Sequence, residues 1–270
     1  MLAKMSKYIS WLTQAFFVVS MISGLIIVFA YYPSNAYDSV QKINYIVPFG
    51  SFFRQLHYFS SESFFIILII HIAVELYKKE VRISFSSWNY AILATLCISI
   101  LMFFGFILKA DLSANSAVQV AFSLINDTPI IKNILSLFKD THIFYWKFFI
   151  WHILFLPLLL TFSIYKHTKK IGVDIRYFTI ALGFTMLLAL LISMPEDIPL
   201  ESIVNQIKGP WFFFGAENLL QLGINSITVN LTLSMPFIFL FLIYVTKNQK
   251  PFKILLSLWI IIYSYISIMI

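Results

Sequence analysis

The chain has 270 residues, 60% of them hydrophobic and 11% charged, with 29 phenylalanines and a formal net charge of +7. That balance lies outside what a soluble domain of this length carries and places the chain in lipid. Only helices and closed barrels satisfy every backbone N–H and C=O in a bilayer, and the apolar stretches here run to about 20 residues rather than alternating every second one, so helices are the reading.

In chain order, hydropathy marks seven spans, roughly 12–31, 62–78, 89–108, 146–165, 177–194, 228–246 and 253–270, each sized for a hydrocarbon core about 30 Å thick. The run that follows Met1 to Lys7 is too long for a signal-peptide core and lacks a small-x-small cleavage site, so it reads as the first transmembrane helix. With the N-terminus on the cytoplasmic side, the inner segments hold Lys4, Lys7, Lys78, Lys79, Arg82, Lys166, Lys169, Lys170, Arg176, Lys247, Lys250 and Lys253, twelve of 19 basic residues. Only Glu75, Glu80 and Asp174 among the 12 acids share that side. This is the positive-inside pattern, here of a bacterial cytoplasmic membrane; it accounts for the net charge without nucleic acid as a partner.

Cys97, the single cysteine, falls in the middle of the third span. A disulfide framework, a cysteine-ligated iron–sulfur site and a C-x-x-C-H haem attachment are thereby excluded, and any haem must be held non-covalently.

Four of five histidines fall in or at the ends of two spans: His57 and His71 on the second, His152 and His167 on the fourth. Fourteen α-helical steps fall about 40° short of whole turns and fifteen overshoot by about 60°, so each pair lies broadly on one face, some 21–22 Å apart along the axis. Ionisable groups are costly in membrane helices, and imidazoles from facing helices are natural axial ligands for haem iron. Zinc or copper would need ligands converging at one depth, whereas these sit at two. Small residues repeat the spacing on the helices without ligands: Ser10 and Gly24 on the first, Ala91 and Gly105 on the third. A missing side chain there lets a flat macrocycle approach the backbone, although ordinary helix packing uses small residues too. His142, ten residues before His152, is out of register and reads as a loop residue.

These residues resemble the cytochrome b of respiratory bc complexes and of the photosynthetic b/f complexes, which divide the protein into a four-helix part and a three-helix subunit IV. The resemblance is carried by Tyr31-Tyr32-Pro33, Ser39-Val40-Gln41, Arg54-x-x-His57, His71, Lys147, His152-x-x-x-x-Pro157 and His167. It extends through Pro199-Leu200-Glu201-Ser202-Ile203, Lys208-Gly209-Pro210-Trp211-Phe212-Phe213-Phe214 and Lys250-Pro251-Phe252-Lys253. The 15-residue second spacing is that of the b/f type. The resemblance implies an all-α polytopic membrane protein of seven transmembrane helices: a four-helix diheme bundle over 1–172 and a subunit IV-like part over 173–270 with a quinol-site loop.

It further implies two b haems, one between His57 and His152 and one between His71 and His167, with Arg54 and Lys147 placed for propionates and Gly24 and Gly105 against the macrocycles. Quinol would be oxidised beside Trp211, with Rieske-like iron–sulfur and c-type cytochrome subunits as partners; a homodimeric complex is left open. Two departures stand out. Pro210 occupies the place of the family's motif glutamate, which leaves Glu217, six residues after Trp211, and Asp111 as candidate proton acceptors. Lys109-Ala110-Asp111 keeps the aspartate of the family's Pro-Trp-Asp and loses the Pro-Trp. A diheme anchor of another dehydrogenase, without bifurcation, is the alternative. A transporter is disfavoured by the absence of Gly/Pro-broken helices in matching halves.

Overall fold

The computed structural model describes residues 2–77, 83–126, 143–170, 172–204 and 207–269; His142, Lys78, Lys79 and Arg82 lie outside them. Every regular element among the described residues is helical. The first helix, α1 (Leu2–Val28), ends before a turn and a short 3₁₀ segment, Pro33–Asn35. Helix α2 (Ala36–Tyr45) buries Ala36, Ser39, Val40 and Ile43, an i, i+3, i+4, i+7 stripe, with Asp38 in its first turn and Lys42 in its last to complement the helix dipole. Gly50 opens α3 (Gly50–Tyr77) where a Cβ would stand 2.1 Å from the Ile43 carbonyl oxygen, so no other residue fits that corner unmoved.

Helix α4 (Phe85–Ile107) leads through Ala110, in the left-handed region at φ 56°, to α5 (Leu112–Asn126). Helix α6 runs through Phe144–Thr168: α-helical Phe144–Ile150, a π turn Trp151–Phe155, and α-helical Leu156–Thr168. Asp174 caps α7 (Ile175–Leu191), accepting from the Arg176 N–H at 3.0 Å. After the 3₁₀ turn Trp211–Phe213 come α8 (Phe214–Gln221), α9 (Ser226–Val245, capped by Asn225) and α10 (Lys250–Ile268).

Six helices are long and apolar enough to cross a membrane: Met5–Val28, α3, α4, α6, α9 and α10. The chain is thus an all-α polytopic membrane protein. The fifth expected span, 177–194, is an apolar helix of 17 residues, shorter than the others. Asp174 fixes its start, and the chain turns extended at Ile192, three residues ahead of Pro195.

The helices pack as two compact units, one of residues 1–102 and 151–196, the other of 103–150 and 197–270. In the first, α1 lies along α3, and α7 packs on both. Ala15, Phe16 and Val19 are buried on α1, Phe64 and Leu68 on α3, and Ala181 and Thr185 on α7. A Ser20–Ser61 hydrogen bond of 2.7 Å and the Phe17–Phe64 ring contact tie α1 to α3. In the second unit α9 packs on α5 and α10, and α8 on α10. Polar side chains join these helices: Asn230 Nδ2 donates to the Leu124 carbonyl, Asn218 Nδ2 to Ile266 and Trp259 Nε1 to Thr232, at 2.7, 2.7 and 3.0 Å. Against lipid, where apolar burial gives helices little reason to associate, such bonds are the available specific glue.

Candidate functional site

In the first unit His57 of α3 and His152 of α6 face one another, ring centroids 6.2 Å apart and planes at 88°. The His57 Nδ1–H donates to the Ser20 carbonyl of α1 at 2.9 Å, with Ser23 Oγ 3.4 Å from the same nitrogen. Since a carbonyl only accepts, this bond fixes the tautomer and leaves the lone pair on Nε2. His167 repeats the device: its Nδ1–H donates to the Ser87 carbonyl of α4 at 3.0 Å, while Ser87 Oγ donates to the His167 carbonyl at 2.7 Å. Helices α1 and α4, which carry neither histidine pair, therefore supply the carbonyls that orient one histidine of each pair, Ser20 for His57 and Ser87 for His167.

Sequence reasoning missed these serines, yet each stands one turn before a small residue it did single out, Ser20 before Gly24 and Ser87 before Ala91. Gly24 itself approaches the ring: a Cβ there would lie 2.8 Å from His57 Cε1 and 3.1 Å from Nδ1. The Nδ1 atoms of His71 and His152 are both buried, and the Leu101 backbone of α4 is a hydrogen-bonding neighbour of the His152 ring.

Do these residues fit a haem? Imidazole–metal bonds of roughly 2.0–2.1 Å on both sides of one ion bring two ring centroids to roughly 6 Å, the spacing seen between His57 and His152. The tautomers of His57 and His167 present Nε2 for ligation, and no three His, Cys, Asp or Glu side chains among the described residues gather as a zinc cage requires. The facing of His57 and His152 fits a metal held between two imidazoles. Arg54 Nη1 donates to Asn44 Oδ1 at 2.9 Å, which holds it at the corner of α2 and α3. Lys147 is half-buried on α6, and Gly105 lies two residues before the end of α4.

The second unit holds the acidic candidates. Glu217 on α8 folds back onto the segment before Trp211: its Oε2 accepts the Gly209 N–H at 3.1 Å, and a Cβ on Gly209 would stand 2.0 Å from Oε1. Burial raises the affinity of this carboxyl for its proton, opposed by the Gly209 N–H and the nearby Lys208 ammonium. A small cavity of about 10 Å³ beside it is lined by Lys208, Phe214, Asn218 and Gln221 among others. Trp211, 40% exposed, opens the 3₁₀ turn, and the Tyr263 hydroxyl donates to the Phe212 carbonyl at 3.1 Å to brace it.

Asp111 is fully buried and differently employed. Its Oδ1 accepts from Ser113 Oγ and the Ala114 N–H at 2.8 Å each, and its Oδ2 from Lys109 Nζ at 3.0 Å and the Ile198 N–H at 3.1 Å. It caps α5 and ties that corner to the strand of chain leading into Pro199. The hydrogen bonds of Asp111 and Glu217 share no residue. The lost Pro-Trp is here replaced by a lysine that neutralises the buried aspartate.

The family model described as Cytochrome b/b6/petB matches residues 5–193. No curated protein matches the chain in sequence. Among solved structures, a chain of a hyperthermophilic respiratory Complex III superposes with a TM-score of 0.68 at 16% identity, over 97% of this chain and 91% of that one.

Proposed function

Because the chain belongs to the cytochrome b family, we propose that it is the diheme cytochrome b subunit of a membrane quinol oxidoreductase. The observation that carries the reading is the facing of His57 and His152 at 6.2 Å, with His57 tautomerised by the Ser20 carbonyl. His57 and His152 would hold the outer haem and His71 and His167 the inner one; by the family resemblance Arg54 and Lys147 would serve the propionates, and Gly24 and Gly105 would be the small residues of the outer haem. When bound, the two haems supply one-electron transfer from quinol across the membrane.

The rest is work for the chain's own groups. Trp211 and the Lys208-Gly209-Pro210 segment wall the quinol site in the 173–270 part. Glu217, oriented through Oε2 by the Gly209 N–H, accepts a quinol hydroxyl proton on Oε1. Asp111, which caps α5, is the second candidate for that proton. Rieske-like iron–sulfur and c-type cytochrome subunits are the partners this reading implies, in a bacterial cytoplasmic membrane with the N-terminus inside and a seventh, shorter span at α7. Pro210 in place of the motif glutamate is the observation that favours the other reading, a diheme anchor without bifurcation.

Anaerobic addition of a soluble quinol to the purified protein tests the proposal. A b-type reduced-minus-oxidised spectrum should develop, and an iron–sulfur subunit should co-purify. Absence of any haem spectrum would refute the function, and a spectrum without an iron–sulfur partner would select the anchor.

A further inference from the structure

Two parallel helices present imidazoles at the same two levels only when both advance by the same twist and rise between their histidines. Here the intervals differ: His57 to His71 is 14 residues and His152 to His167 is 15. Helix α3 is α-helical throughout and has no proline between its histidines. Helix α6 is not regular. His152 is the second residue of the π turn Trp151–Phe155, whose remaining members Ile153, Leu154 and Phe155 lie on the His167 side. Among the described residues, π geometry occurs at this turn alone.

We propose that this π turn, imposed by Pro157, absorbs the fifteenth residue, so that His152 and His167 stand in the register that fourteen residues give His57 and His71. An i→i+5 turn closes around one residue more than an i→i+4 turn, so fifteen residues containing one such turn take up the twist and rise of about fourteen α-helical residues. As a plain α-helix, α6 would leave His167 rotated by roughly 100° relative to the matching position on α3, one whole residue out of phase. The cause is local. Pro157 has no N–H to offer the Ile153 carbonyl, and its ring would collide with that carbonyl in an unbroken α-helix, so the turn just upstream widens. The facing of His57 and His152 fixes the level from which the two intervals are counted.

The inference rests on the haem reading, and haem content per chain of purified full-length protein tests the two separately. Wild type should hold two non-covalent haems; fewer than two would overturn the haem reading and this inference with it. Given two in wild type, deleting Leu154 together with Pro157→Ala makes α6 a plain helix with 14-residue spacing, and two haems should remain. Inserting one alanine after Phe64 gives α3 a 15-residue interval without a π turn, and the content should fall by half. A deletion variant that drops to one haem, or an insertion variant that keeps two, overturns the proposal. If the deletion variant does not accumulate, the insertion in α3 decides it.

Discussion

At the scale of single residues, the two candidate acids are engaged in different ways, and the difference is measurable. Glu217 is tied by one backbone N–H and half-buried, so its carboxylate is available to exchange a proton. A base must be unprotonated to act, and burial raises the Glu217 pKa, so quinol turnover should rise with pH through a value above the ordinary carboxylate range. Glu217→Gln should abolish that acid limb and slow turnover by about 10²-fold while leaving haem content unchanged. Gly209→Ala should act similarly, because its Cβ displaces Glu217 Oε1. In Asp111→Asn the amide nitrogen meets the Lys109 ammonium and the Ile198 N–H, donor against donor, and the structure should lose about 2 kcal/mol or more. Thermal unfolding in detergent checks this: Glu217→Gln should melt like wild type and Asp111→Asn well below it. An Asp111→Asn variant that is slow yet melts normally would move the proton-accepting role to Asp111. Gly24→Val, whose side chain enters the space of the His57 ring, should reduce haem content from two per chain to about one.

At the scale of elements, the long apolar helices were legible because a 20-residue apolar run has one outcome in a bilayer, and α1, α3, α4, α6, α9 and α10 all follow their hydropathy. Helix α3 begins at Gly50, twelve residues before its expected start, because Arg54, Gln55 and the serines near His57 lower the hydropathy of a stretch that is nonetheless helical. The short helices α2, α5 and α8 were not read at all. They lie between spans, and their stripes, such as Ala36, Ser39, Val40 and Ile43, are too short and too polar to stand out. The histidine pairs were legible from spacing, whereas the π turn that reconciles 14 with 15 was not, since Pro157 alone does not say whether a helix kinks, breaks or widens. Ser20 and Ser87 orient the imidazoles through their backbone carbonyls, which leave no mark on residue type, although Ser87 Oγ adds a bond to the His167 carbonyl. In the proposed assignment α3 carries one ligand of each haem, so His71→Ala should remove the inner haem and leave the outer one at least partly bound; loss of neither would show that the levels are wrongly assigned.

At the scale of the whole molecule, twelve of the 19 basic residues gather on one side of the proposed topology, and four histidines fall on two of the long apolar helices. The family is fixed by a match over residues 5–193, while the solved relative at 16% identity speaks to the fold. The proposed quinol chemistry rests on the Glu217–Gly209 contact and the exposed Trp211, and it stands or falls apart from haem binding. The central claim is that this chain holds two haems, each between two histidines and without a covalent bond. The ratio of acid-acetone-extractable haem to polypeptide in the purified protein measures it directly. The account predicts two haems per chain, all extracted; a ratio near one or zero, or haem that stays with the polypeptide, would contradict it.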